Sequence, residues 1–306
     1  MNNKILTIVF GVLVIIGILI FLFQEGKNER TFRDVLVDVD TTSISEILIY
    51  PKSQNRQEVK LFKDKDEWRV TLPDGGSAKV SDQRMSSLFA QLLAIKPKRL
   101  AARDESKWSE LQVDSTGSRV KVFQDSKLTL DLVIGRFSFQ QPRTMNTFVR
   151  LYNDKDVYEV DGFLDMTFNQ GVNIFRDGTV IKSDYNTWQR IQFAYPADSS
   201  FHIVKSGNTW LLNGNPADSL ITANYLNGLA NLSNNSFVDG DKINPATTTP
   251  TYSLNITTAD LKFIEIKGYQ DTTSFIIHSS QNPESWFDGA SLSKTIFVGK
   301  STFLTK

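Results

Sequence analysis

Apolar and polar residues alternate along most of this chain, and the alternation comes in two similar rounds. In the first, Ser45–Tyr50 (SEILIY) runs into Pro51, Glu58–Phe62 (EVKLF) follows, and a polar turn leads to Trp68–Leu72 (WRVTL). A period of two residues predicts strands with one buried face, and the proline ends its strand or sits at an edge. After the turn Pro73-Asp74-Gly75-Gly76, the apolar residues Met85, Leu88, Leu92 and Ile95 recur three and four apart. That spacing predicts a helix, capped by Ser81 or Asp82 and ended at Lys96-Pro97. A short amphipathic helix is expected at Glu105–Leu111, then strands at Arg119–Phe123, Leu128–Ile134, Thr147–Tyr152 and Val157–Val160.

The second round repeats the plan. Trp188–Tyr195 runs into Pro196, Ser200–Lys205 turns at Gly207-Asn208 into Trp210–Leu212, and Tyr225, Leu226, Leu229 and Leu232 mark a helix. Strands are expected at Tyr252–Ile256, Leu261–Ile266, Ser274–His278 and Thr295–Val298. Strands in immediate succession joined by short polar turns argue for antiparallel pairing. The fold class expected is α+β: an N-terminal transmembrane helix followed by two tandem copies of an antiparallel β-sheet unit, each with one or two packed helices. The boundaries read as an anchor at residues 1–24, a juxtamembrane stalk at 25–42, a first repeat at 43–164, a packed linker at 165–187 and a second repeat at 188–306.

The anchor is the run ILTIVFGVLVIIGILIFLF at residues 5–23, without a charge. At ~1.5 Å per residue a helix of that length spans ~28 Å, close to a ~30 Å hydrocarbon core. A cleaved signal peptide has a shorter apolar core ending in small residues, whereas this run ends in Phe21, Leu22, Phe23. The literal charge count, Lys4 before the run against Lys27, Arg30 and Arg33 after it, leans toward a cytoplasmic body. That rule is weak for long domains. A single anchor ahead of a β-rich, cysteine-free body is the form of an exported domain, so the body is placed on the extracytoplasmic or periplasmic side of the cytoplasmic (inner) membrane.

Composition narrows the chemistry. There is no cysteine, which excludes disulfides, thiolate metal sites and cysteine nucleophiles. Lys and Arg total 34 against 34 Asp and Glu, so no overall field draws nucleic acid, which is not expected as a partner. Charge is uneven, with 24 Lys/Arg and 23 Asp/Glu in residues 1–170 against 10 and 11 in 171–306. The two histidines, His202 and His278, lie in strands of the second round only. Asp34, Asp38 and Asp40, and also Asp239-Gly-Asp241, lack the spacing of a calcium loop and read as solvated loops. No nucleophile elbow, phosphate loop, dinucleotide fingerprint or zinc-protease motif is present, and no carboxylate pair stands out. No catalytic residue, cofactor or metal is assigned.

Two features suit contact with a partner. Arg136–Asn146 and Ser279–Lys294 read as long loops breaking the repeat, and they carry Phe137, Phe139, Arg143, Trp286 and Phe287. Aromatic residues and arginine are favoured at interfaces, although these rings can equally pack down on the sheet. The one basic run holds Lys96, Lys98, Arg99 and Arg103, and could meet anionic headgroups or an acidic partner, or form a solvated edge.

The anchor, the strand pairs around Trp68 and Trp210, the Leu88–Ile95 helix, the Ile-Gly at Gly135, Phe148–Arg150 followed by VYEV, and Phe175-Arg176-Asp177 together resemble a bacterial domain-of-unknown-function family. Its members occur near, or fused to, auxiliary proteins of gliding-motility-type ABC transporters. The resemblance implies a membrane-anchored, non-catalytic accessory or scaffold protein whose partner is a membrane protein such as an ABC-type permease or auxiliary subunit. It brings no catalytic residue, and the second round has no counterpart of Arg150 in its SFIIH strand. The rival expectations are an extracytoplasmic glycan- or peptide-binding module using the cleft between the repeats and, behind it, a hydrolase using acidic residues.

Overall fold

The computed structural model describes residues 33–140, 144–239, 248–270 and 274–304. The chain opens with β1 (Ile44–Tyr50), β2 (Val59–Asp64), β3 (Glu67–Thr71) and β4 (Ser77–Lys79), crosses through helix α1 (Asp82–Leu93), and enters β5 (Pro97–Ala102). A short helix α2 (Trp108–Leu111) precedes a meander of β6 (Ser118–Gln124), β7 (Lys127–Gln140), β8 (Thr144–Leu151) and β9 (Val157–Asp161). Two single-turn helices, α3 (Asp165–Phe168) and α4 (Val172–Phe175), lead to β10 (Thr179–Lys182). The second half runs β11 (Trp188–Ala194), β12 (Phe201–Ser206), β13 (Thr209–Leu212), β14 (Asn215–Pro216), α5 (Ser219–Ala230) and β15 (Asn231–Ser233). It closes with β16 (Tyr252–Thr258), β17 (Phe263–Gln270), β18 (Phe275–Ser279), β19 (Asn282–Asp288) and α6 (Gly289–Ile296).

The strands form a nine-stranded sheet in the order β4-β3-β2-β1-β6-β7-β8-β9-β5 and an eight-stranded sheet in the order β14-β13-β12-β11-β16-β17-β18-β19. In each, the opening strand sits mid-sheet, hairpins run outward on one side, a helix crosses, and a meander runs outward on the other. The strand after the helix is where they differ. β5 pairs with β9 at the far edge of the first sheet, whereas β15 pairs with β10 in a separate two-stranded ladder.

Each sheet has its own core. In the first, α1 lays Met85, Leu88 and Leu92 onto a face built from Ile47, Ile49, Leu61, Val70, Val120 and Val122. Each fully buried Leu or Val contributes about 1.5–3 kcal/mol. Ser81 stands at the N-cap of α1 without a side-chain bond, while Asp218 caps α5 by accepting from the Ile221 amide. The second core is aromatic, with Phe193 stacked on Phe201 at 4.2 Å between ring centres and Phe303 edge-on to Tyr225 at 5.2 Å. A smaller cluster of Leu111, Val113, Val133, Phe148 and Val157 lies on the other face of the first sheet, beneath α2.

Several expectations need correction. The α+β class with a transmembrane helix does not stand: the described residues are mainly antiparallel sheet, 45% strand against 23% helix. Among them, no helix is long and apolar enough to cross a membrane. The run at residues 5–23 lies outside the described residues. The supposed loop at Arg136–Asn146 is instead the end of a long hairpin, because β7 keeps pairing with β8 to Gln140–Thr144 past an irregularity between Ile134 and Phe137. Ser279–Lys294 is β19 and most of α6. Thr295–Val298 is not a strand, since helix α6 runs through Ile296. In a run of only four residues, strand alternation and a helix end look alike.

Candidate functional site

The outer face of the first sheet carries a row of side chains fixed by strand register. Tyr50 on β1 pairs with Arg119 on β6, Arg119 with Val133 on β7, Val133 with Arg150 on β8, and Arg150 with Val157 on β9. Side chains directly opposite on adjacent strands point to the same face, so Tyr50, Arg119 and Arg150 share one side. Lys121, two residues after Arg119 on β6, lies on the same side. The other face of these strands supplies the core through Val120 and Val122.

Helix α2 closes over this row. Trp108 lies 3.8 Å from the Arg150 guanidinium carbon, measured to the ring centre, and its indole donates to the Lys155 carbonyl at 3.1 Å. Arg119 stacks on Tyr152 at 3.3 Å and is held by a two-pronged pair with Asp131, at 2.8 and 2.6 Å. The Asp131 bond raises the Arg119 pKa above its usual value. Arg150 differs. It is 3% exposed, yet its bonds all go to neutral carbonyls. Nε donates to Val113 at 2.9 Å, and Nη1 to Leu151, Tyr152 and Asp154 at 3.2, 2.7 and 3.0 Å. Burial lowers its pKa from the usual value.

Between these groups lies an open cavity of about 660 Å³, lined among others by Tyr50, Arg56, Trp108, Arg119, Lys121 and Arg150. Among the described residues Asp114 is its one lining carboxylate. Burial works to raise that pKa, but bonds from the Thr116 hydroxyl and amide outweigh it and leave the group lowered. The arrangement is a basic, aromatic-walled recess, suited to holding an anionic group.

A second polar centre joins the two halves. Arg176, 3% exposed, donates from Nη1 to both Asp239 oxygens at 2.7 and 3.0 Å and lies over the Phe237 ring at 3.8 Å. Its backbone bridges to Val80, and the Asp177 amide donates to Lys79 at 2.8 Å. Beside it, a smaller space of about 420 Å³ spans the halves, lined by Gln54, Gln170, Asn173 and Asp239 among others. Asp239, expected in a solvated loop, is exposed and also grips a buried guanidinium 63 positions away.

The residues singled out for partner contact are not brought together. Phe137 and Phe139 stand 48% and 56% exposed on the long hairpin, with Met145 opposite Phe139 and 47% exposed. Arg143 lies outside the described residues. Phe287 is corrected outright: it is 0% exposed in the second core, packed on Phe237 at 5.4 Å. Trp286 is half-buried against His278 at 4.5 Å and Tyr269 at 5.5 Å. The basic run forms edge strand β5 and its flanks, all four cations exposed, with Lys98 paired to Asp161 at 2.8 Å and Arg99 paired to Glu159. Among the described residues no group of three or more His, Asp or Glu side chains could hold a metal. The Arg119–Arg150 recess was missed as a site, although Arg150 and the Ile-Gly at Gly135 belonged to the motifs of the resemblance.

A family model described as Domain of unknown function (DUF4340) matches residues 68–255, more than half of the chain. No curated protein and no solved structure matches.

Proposed function

The chain belongs to the family described as Domain of unknown function (DUF4340), and on that premise we propose that it is a non-catalytic accessory or scaffold protein working at the extracytoplasmic face of the cytoplasmic membrane, beside an ABC-type transport system. One observation carries the docking part of this reading. Phe137, Phe139 and Met145 leave an apolar strip exposed at the end of a hairpin whose base is locked into a nine-stranded sheet. Large apolar side chains grouped at the surface are the composition of an interface centre. The place at the membrane rests on the charge-free run at residues 5–23, a property of the sequence. The transporter rests on the family resemblance, since the family description itself names no activity.

The test is crosslinking in cells followed by recovery of the tagged full-length protein and mass spectrometry of its companions. A permease or auxiliary subunit of the ABC type should come with the unaltered chain and be depleted with Phe137→Ala/Phe139→Ala. Both positions are exposed, so the double variant should fold. An unchanged set of companions would remove the hairpin from the reading, and recovery of no membrane protein at all would remove the accessory role.

A further inference from the structure

We propose that the recess on the outer face of the first sheet is a binding site for a small ring-bearing anion, with an acidic sugar as the fitting chemical class. The inference is independent of the transporter reading, because it rests on different residues and a different face. Among the described residues four lining cations, Arg56, Arg119, Lys121 and Arg150, stand with a single lining carboxylate, Asp114. Asp131 is already occupied by both prongs of its pair with Arg119. With Arg119 paired by Asp131, the described lining keeps Arg56, Lys121 and Arg150 against Asp114, while Glu58, bonded by Tyr50, and Glu105, which acts on Arg150, lie beyond the lining.

Arg150 is the anchor of the site. Among the described residues its Nε and Nη1 are spent on four carbonyls, and Nη2 makes no hydrogen bond. Arg150 itself lines the recess, so this spare donor belongs to a residue of its wall. A buried guanidinium held rigidly by carbonyls, with a nitrogen left over, is pre-organised to meet a carboxylate or phosphate oxygen. Arg119 and Arg176 each meet a carboxylate, Asp131 and Asp239, whereas Arg150 makes no ion pair among the described residues.

The walls define the rest of the ligand. Tyr50, Trp108 and Tyr152 line the recess; Arg150 and Arg119 already cover one face of Trp108 and Tyr152, and the remaining ring surface can accept the apolar face of a sugar. A volume of about 660 Å³ exceeds a bare inorganic anion and suits a molecule of one or two rings. Uronic acids and sugar phosphates share the required chemistry, an acidic group on a pyranose, and the experiment separates them.

Calorimetric titration of the full-length chain in a neutral detergent would use glucuronate, glucose 6-phosphate, inorganic phosphate and glucose as probes. Binding by glucuronate or glucose 6-phosphate is expected, weakening as salt is raised, with glucose silent. Preference for glucuronate would identify a carboxylated sugar, and preference for glucose 6-phosphate a phosphorylated one. Arg56→Asn and Lys121→Gln should each weaken binding about 10-fold with an unchanged melting temperature. Asparagine is chosen because Arg56 has φ 59°, which asparagine tolerates. Arg150→Gln should abolish binding, but it also strips four carbonyls of their donor, so the two surface variants decide. Silence from both acidic sugars, or binding unmoved by both surface variants, would overturn the site. Inorganic phosphate binding as tightly as glucose 6-phosphate would overturn the ring component.

Discussion

Arg176 brings a charge into the seam between the halves and survives there because Asp239 meets it. Removing one partner of a buried pair leaves the other uncompensated, which is the large destabilising term for such pairs. Asp239 is itself partly solvated, 37% exposed at its side chain, which tempers the effect. Asp239→Ala should therefore lower stability by about 2–3 kcal/mol in urea unfolding, and Asp239→Asn by about half that. A loss under ~0.5 kcal/mol for the alanine variant would mean that water replaces the carboxylate. Tyr50 supports a second prediction. Burial first, then the bond it donates to Glu58 at 2.6 Å, push its phenol up to about 12. An unfolded tyrosine ionises near 10. Between pH 10 and about 12 the unfolded chain releases this proton while the folded chain keeps it, so stability held below pH 10 declines across that window. Tyr50→Phe should flatten that part of the pH–stability profile, and an unchanged slope would assign it to other groups. Neither residue was legible beforehand. Asp239 looked like any loop carboxylate because its partner Arg176 lies 63 positions away, and Tyr50 like any strand-end aromatic because its burial and its bond to Glu58 depend on how the strands fold together.

Strand elements were far more legible than single residues. Alternation located most of both meanders, since a half-buried antiparallel strand imposes a period of two on its own sequence. It failed where periodicity is silent. β5 was hidden because its exposed cations mask its pairing with β9, and β10 and β15 because each is only three or four residues long. Gly135 shows what an element can require without advertising it. A Cβ added there would sit 2.3 Å from the Leu111 carbonyl and 2.7 Å from a Val113 methyl. The segment after α2 thus presses directly on the backbone of β7, and only glycine allows that approach. Gly117 has the same relation to the Gln112 carbonyl, at 2.4 Å. Gly135→Ala should cost about 1–3 kcal/mol through overpacking and should lift the segment that carries Trp108 and the Val113 carbonyl bonded by Arg150. The check is a thermal melt together with near-ultraviolet circular dichroism of the tryptophans. A melt unchanged within error would show that the segment yields freely.

At the scale of the whole molecule, the two cores do not merge. Phe175 is the last buried residue of the first cluster along the chain and Val180 the first of the second. The residues between them, Arg176 to Thr179, are occupied with hydrogen bonding: Asp177 accepts from the Thr179 amide and hydroxyl, and its carbonyl accepts from Asn282 at 2.6 Å. Across the seam run the Arg69–Glu284 pair at 2.9 Å, the Val80–Arg176 bridge and the Arg176–Asp239 pair. These contacts are polar, and polar seams between sheets couple folding less than shared apolar cores do. The cores also differ in kind, aliphatic in the first and ring-rich in the second, so their stabilities should respond differently to temperature. Differential scanning calorimetry of the full chain should then show two overlapping transitions rather than one. Asp239→Ala should move them further apart, because it weakens the seam without touching either apolar core. A single transition with equal calorimetric and van't Hoff enthalpies would mean that the seam transmits cooperativity. The polar bridge at Arg176 would then have to be as binding, for folding, as a continuous core, and its loss in Asp239→Ala should lower that one transition rather than split it.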